Sequence, residues 1–157
     1  VAAAVFLLEQ VTKWIVLGPL DLRNTLLIKI LPVFDLRYTE NHGISLGMLT
    51  ASSDMQRLLL VAFTAAIAIG VAIWIWRERS RAEQLILALV LGGALGNILD
   101  RSRLGYVVDF ADLHFGDWRP FLVFNVADAA ISIGVIILLL RAFLAKPKAH
   151  KETIDHA

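Results

Sequence analysis

The chain has 157 residues, 58% of them hydrophobic, a formal net charge of +1 and no cysteine. Its mean hydropathy is +0.70, above that of soluble domains, and the excess is gathered into runs long enough to span a bilayer. These figures exclude disulfides, thiolate metal sites and a cysteine nucleophile, and they give no electrostatic reason to bind nucleic acid. They fit one membrane-embedded domain over 1–157.

Four apolar segments are predicted as transmembrane helices, over about 1–20, 58–76, 82–99 and 121–142. The first is ended by Gly18-Pro19. It opens on Val inside an apolar run, so a short segment is expected to precede it, and no A-x-A-like site marks it as a cleaved signal peptide. Between the first and second segments lies a loop over about 21–57. There Val33–Glu40 alternates apolar and polar residues as a half-buried strand does, His42-Gly43 offers a turn, and Ser45–Gln56 reads as a short interfacial helix. The third segment reaches only about 22 Å, so it is expected to extend or to end near an interface with Asn97, Asp100 and Arg101. In the loop over 100–120, Tyr106–Phe110 is a second strand candidate. The tail 146–157 is charged.

Four spans put both termini on one side. Arg77, Arg79 and Arg81 fall on that side with Arg141, Lys146, Lys148 and Lys151, and the positive-inside tendency makes it cytoplasmic. The ends carrying Asn97, Asp100, Asn125 and Asp128 then face outward. Trp14, Trp74, Trp76 and Trp118 read as interface anchors.

Two aspartates carry the chemical signal. Asp128 interrupts the run Phe121–Leu140, where an ionisable group costs at least about 2.5–3.5 kcal/mol and marks function by default. Asp109 lies beyond the third segment, in GYVVDFADLHF. Two carboxylates that share one proton can activate water for peptide hydrolysis. Asn125, Asp128 and Ser132 are spaced i, i+3, i+7, one stripe of a helix. Asn97 and Arg101 are spaced i, i+4, as are Glu9 and Lys13, the latter in the order that favours a structural ion pair. Gly92, Gly93, Ala94 and Gly96 allow close approach of a neighbouring helix. His42 and His114 read as loop or interfacial residues, and no spacing supports a metal site. The residues alone also leave open a proton relay through the buried acids, and a serine–lysine peptidase using Ser45 or Ser132 with Lys13.

Three blocks make the chain resemble the bacterial lipoprotein signal peptidases, the type II signal peptidases. They are Asn41-His-Gly43-Ile-Ser-Leu-Gly47; Gly92-Gly-Ala-Leu-Gly96-Asn97-Ile-Leu-Asp100-Arg101 leading to Val107-Val-Asp109-Phe110; and Phe124-Asn125-Val-Ala127-Asp128-Ala-Ala-Ile131. Where the family's first span usually reads Asp-Gln-x-x-Lys, this chain has Glu9-Gln10-Val-Thr-Lys13. The resemblance implies four transmembrane helices with a small extracytoplasmic β-cradle. It implies an aspartic endopeptidase that cleaves diacylglyceryl-modified prolipoproteins before the lipidated cysteine, without a cofactor. Asp109 and Asp128 would be catalytic. Asn41, Gly43, Asn97, Arg101 and Asn125 would support them or bind substrate, and Glu9, Lys13 and Asp100 would be structural. It further implies the bacterial inner membrane, contact with membrane lipid, and inhibition by globomycin-type cyclic peptides.

Overall fold

A computed structural model describes residues 1–43 and 53–144. Residues 44–52, which hold most of the expected interfacial helix, and the tail 146–157 lie outside that description. In chain order the elements are α1 (Ala2–Leu17), α2 (Leu22–Thr25), β1 (Leu27–Leu31), β2 (Phe34–Asn41), α3 (Ser53–Arg77), α4 (Arg81–Leu104), β3 (Val107–Leu113) and α5 (Val126–Leu144).

Local chemistry sets the helix ends. The last bond of α1 is Gly18 N–H to the Trp14 carbonyl at 2.9 Å, and Pro19 has no N–H to continue it. Ser80 caps α4 by accepting the Glu83 N–H at 3.4 Å. Gly105, at φ +88°, closes α4 in the left-handed conformation that glycine tolerates. Helix α4 therefore runs past the predicted 82–99, and Asn97, Asp100 and Arg101 lie inside it. Asn97, Asp100 and Arg101 form its buried or half-buried last turns.

Three helices among the described residues are long and apolar enough to cross a membrane: Asp54–Arg77, Arg81–Leu104 and Val126–Leu144. Helix α4 is central and packs against α1, α3 and α5. Helix α3 touches mainly α4 and leaves Leu58, Phe63, Ile69 and Trp76 exposed. Water would not support such a surface, whereas lipid does. This is a multi-pass membrane protein.

The three strands form one antiparallel sheet in the order β1-β2-β3. The hairpin turn between β1 and β2 is Pro32-Val33, and His42-Gly43 follows the end of β2 with Gly43 at φ +83°. Strand β2 continues to Asn41 alongside β3, where it has a hydrogen-bonding partner. Neither β1 nor α2 stood out in the sequence, because Leu26–Leu31 carries no period-2 alternation. A bulge in β2 sets Arg37 and Tyr38 against Phe110 alone, since Leu36 pairs with Ala111 and Thr39 with Asp109. On its other edge β3 meets Phe124, whose N–H donates to the Ala111 carbonyl at 3.0 Å and whose carbonyl accepts the Ala111 N–H at 2.8 Å. Val16, Leu22, Phe110 and Ala111 form the core between this sheet and the end of α1.

Candidate active site

The Phe124 bridge delivers the chain into α5, whose N-cap is Asn125. Residues 121–125 precede the helix rather than belonging to it, so the polar stripe on the fourth segment begins at a cap. The Asn125 Oδ1 accepts the Asp128 N–H at 2.9 Å, and Asp128 Oδ2 accepts the Asn125 N–H at 3.3 Å. This is a reciprocal capping box with an aspartate at its third position. It explains a carboxylate in the first turn of an apolar helix: there it satisfies an orphan N–H and faces the positive end of the helix dipole.

The same Asn125 reaches Asp109. Its Nδ2 donates to Asp109 Oδ1 at 2.7 Å, with longer approaches of 3.3 Å to the Asn97 Oδ1 and the Val108 carbonyl. Asn97 Nδ2 donates to Asp128 Oδ1 at 2.9 Å. Asn41 Nδ2 donates to Asp109 Oδ2 at 3.0 Å, while its Oδ1 accepts the Gly43 N–H at 2.9 Å and so fixes which end of the amide faces the carboxylate. Gly43 sits at φ +83°, and a Cβ there would lie 2.5 Å from Leu60. Five of the predicted residues thus meet around two carboxylates: Asn41, Asn97, Asn125, Asp109 and Asp128.

Asp109 is 2% exposed, and Asp128 is half-buried. Burial first, and then the charge of Asp128, push the Asp109 carboxyl up to about 7; the amide bonds from Asn41 and Asn125 act the other way. The pair can therefore hold one proton near neutral pH.

Glu9, Lys13 and Asp100 form a buried ion triad beneath the site. The Lys13 ammonium is held by both Glu9 and Asp100. Glu9 Oε2 accepts the Ala127 N–H at 3.1 Å, and Asp100 Oδ2 accepts the Val108 N–H at 3.0 Å. These are the residues immediately before Asp128 and Asp109. Glycines in α4 make the contact possible: a Cβ on Gly93 would lie 2.5 Å from the Ala127 carbonyl, and one on Gly96 would lie 3.0 Å from Glu9 Cγ. The spacing showed the Glu9–Lys13 pair, but nothing local pointed to its partners on α4, β3 and α5.

Arg101 stands apart from the other supporting residues. It makes no hydrogen bond or ion pair to either aspartate; its Nε is buried without a partner, and it lines a cavity of about 280 Å³ with His42, Leu60 and Tyr106. Among the described residues no group of three or more His, Asp or Glu is placed to hold a metal ion.

The fold and this centre define a class: a multi-pass membrane protein with two neighbouring carboxylates held by amide donors where a small sheet joins its helices. The family model described as Signal peptidase (SPase) II matches residues 1–144. A lipoprotein signal peptidase of Rhizorhabdus wittichii is 60% identical over 99% of this chain and 91% of its own length. One from Klebsiella pneumoniae (strain 342) is 36% identical over 97% of this chain and 91% of its own. Two bacterial membrane enzymes solved by the in meso method at 2.3 and 1.9 Å resolution match with TM-scores of 0.69 and 0.76, at 28% and 27% identity, over 96% and 93% of this chain and 92% and 91% of theirs. The chain belongs to the signal peptidase II family, the peptidases that remove signal peptides from prolipoproteins.

Proposed function

We propose that this peptidase is an aspartic endopeptidase that cuts diacylglyceryl-modified prolipoproteins before the lipidated cysteine, with Asp109 and Asp128 as the catalytic pair. The observation that carries this reading is the single Asn125 side chain, which donates to Asp109 and caps Asp128. One asparagine thereby fixes both carboxylates relative to each other. The ionised member of the pair takes a proton from water, whose oxygen attacks the scissile carbonyl carbon. The protonated member donates a hydrogen bond to the carbonyl oxygen. As the C–N bond breaks, a proton passes to the leaving amine. The pair titrates as a unit, so neither role belongs permanently to one residue. Asn41 and Asn97 each spend one amide hydrogen on a carboxylate. The second hydrogen on each can bind substrate or the developing oxyanion.

In this reading α1 is a fourth span. Its 16 residues reach about 24 Å, and Leu7, Leu8, Val11 and Trp14 are exposed as lipid-facing side chains are. The termini are cytoplasmic, and the active site faces the outer side of the bacterial inner membrane. A substrate anchored by its diacylglyceryl chains presents its scissile bond at that depth, and globomycin-type peptides compete for the same site. A serine–lysine mechanism with Ser132 has no support, since Lys13 is committed to Glu9 and Asp100 and Ser132 is exposed.

The test is a gel-shift assay in detergent with a diacylglyceryl-modified prolipoprotein and its unlipidated precursor. Wild type should cleave only the lipidated form, and Asp109→Asn or Asp128→Asn should abolish cleavage while remaining folded. Near-normal turnover by either variant would falsify the pair.

A further inference from the structure

At the far end of the sheet from Asn41, Asp35 and Asp112 pair directly across β2 and β3. Like charges so placed repel. His114 stands 3.1 Å from Asp35. Asp112 draws two guanidinium groups: Arg37 Nε at 2.8 Å, and Arg119 Nε at 3.3 Å from each carboxylate oxygen. One arginine would suffice to neutralise Asp112. The Asp112 side chain is fully buried, whereas those of Arg37 and Arg119 are 39% and 43% exposed. Both arginines use Nε inward, and their terminal NH2 groups make no hydrogen bond among the described residues. The acids lie inside and the cations outside, so the surface is cationic even though the cluster is nearly balanced.

That cationic surface has an apolar neighbour. Arg37 and Arg119 line an open cleft of about 480 Å³ whose other wall includes Phe121, Leu122 and Val123. Phe121 is 61% and Leu122 91% exposed, and Leu122 lies four residues before the membrane-spanning helix α5 begins. Large apolar side chains at the mouth of a span meet acyl chains. Two paired guanidinium forks beside them match a phosphate.

We propose that Arg37 and Arg119 form a binding site for the phosphate of an anionic phospholipid, with its acyl chains laid against Phe121 and Leu122. The site is separate from the aspartate pair and docks the sheet on the membrane surface. It does not depend on the catalytic reading. Charge complementarity commits it to an anionic headgroup, since a zwitterionic lipid presents its own cation to the same arginines.

Native mass spectrometry of the detergent-purified protein, titrated with dioleoyl phosphatidylglycerol or dioleoyl phosphatidylcholine, tests this. Wild type should retain phosphatidylglycerol at least about tenfold more tightly. The Arg37→Gln/Arg119→Gln pair should weaken that retention at least about tenfold, to the level of phosphatidylcholine, which is unaffected. Because those changes strand Asp112, Leu122→Ser is the second variant; it leaves the ion cluster intact and should weaken phosphatidylglycerol retention alone. Millimolar inorganic phosphate should displace little lipid; full displacement would make this a free-phosphate site and overturn the lipid assignment. Equal retention of the two lipids by wild type, or unchanged retention in both variants, would also overturn it.

Discussion

Glu9 on α1 and Asp100 on α4 hold one ammonium group between them, that of Lys13, and each also accepts the backbone N–H of the residue just before a site aspartate. The triad therefore fixes the heights of Asp128 and Asp109 against one buried charge. Lys13→Ala strands two buried carboxylates and should cost about 3–5 kcal/mol, read as a large drop in unfolding temperature in detergent. Glu9→Asp keeps the charge and restores the residue the resemblance led one to expect, but in this chain, whose packing is fitted to glutamate, it lacks the methylene that reaches Ala127. It should remain folded yet lose turnover, because a shift of about 1 Å at a reacting group costs on the order of 100-fold. The expected signature is a fall in kcat with KM nearly unchanged. If Glu9→Asp has wild-type kcat, the triad is only mortar for the bundle.

The pH dependence follows from Asp109. Its carboxyl is pushed up to about 7 by burial and by Asp128. An acid that binds its proton more tightly when folded adds most stability below its unfolded value, near 4, and the gain is lost as pH rises toward 7. In the proposed mechanism activity needs one proton on the pair, so the rate should fall above about pH 7. Asn41 donates to the ionised form and opposes the upward shift. Asn41→Ala should therefore move the descending limb of the pH–rate profile to more alkaline pH while lowering the maximum. An unmoved or acid-shifted limb would mean that Asp109 does not set it.

The residues of the candidate site were easier to read in the sequence than the surroundings that hold them. Asp128 was legible because a charge inside an apolar run has few structural excuses, and the motif blocks brought in Asp109 and the three asparagines. Asp112 resembled Asp109 as a loop acid, but it is buried under two arginines, one of them 75 residues away. No local pattern reports such a pairing. The links from Glu9 to Ala127 and from Asp100 to Val108 were hidden for a second reason: their donors are backbone N–H groups, which every residue but proline possesses. Strand β1 escaped because it has no alternation: Leu27 and Ile28 are half-buried, and Lys29, Ile30 and Leu31 are all exposed.

Close helix contact at Gly93 positions Ala127, the residue before Asp128, as well as packing α4 against α5. A Cβ there would lie 2.5 Å from the Ala127 carbonyl, a backbone atom that cannot rotate away. Gly93→Ala should cost about 1–3 kcal/mol and should also push the first turn of α5 off Glu9, so turnover per folded molecule falls. Gly134→Ala is the control. Its Cβ meets Val90 Cγ2 at 2.6 Å, in the same helix pair but more than a turn beyond Asp128. It should lose stability and keep turnover. Equal turnover losses in the two variants would assign the effect to general loosening of the α4–α5 contact.

Asn125 performs two separable tasks, and substitution can divide them. As N-cap it needs only a side-chain oxygen for the Asp128 N–H; as tether of Asp109 it needs the amide donor. Asn125→Ser keeps a good cap and deletes the donor, while Asn125→Ala deletes both. The serine variant should be more stable than the alanine variant by about 1 kcal/mol, the usual value of a cap. Both should lose turnover on the order of 100-fold, as removal of a preorganised donor does. The serine variant should also shift its pH–rate profile to more alkaline pH, because Asp109 loses a bond that favours its charge. A serine variant as active as wild type would show that the cap alone matters, and that Asp109 is held in place by Asn41.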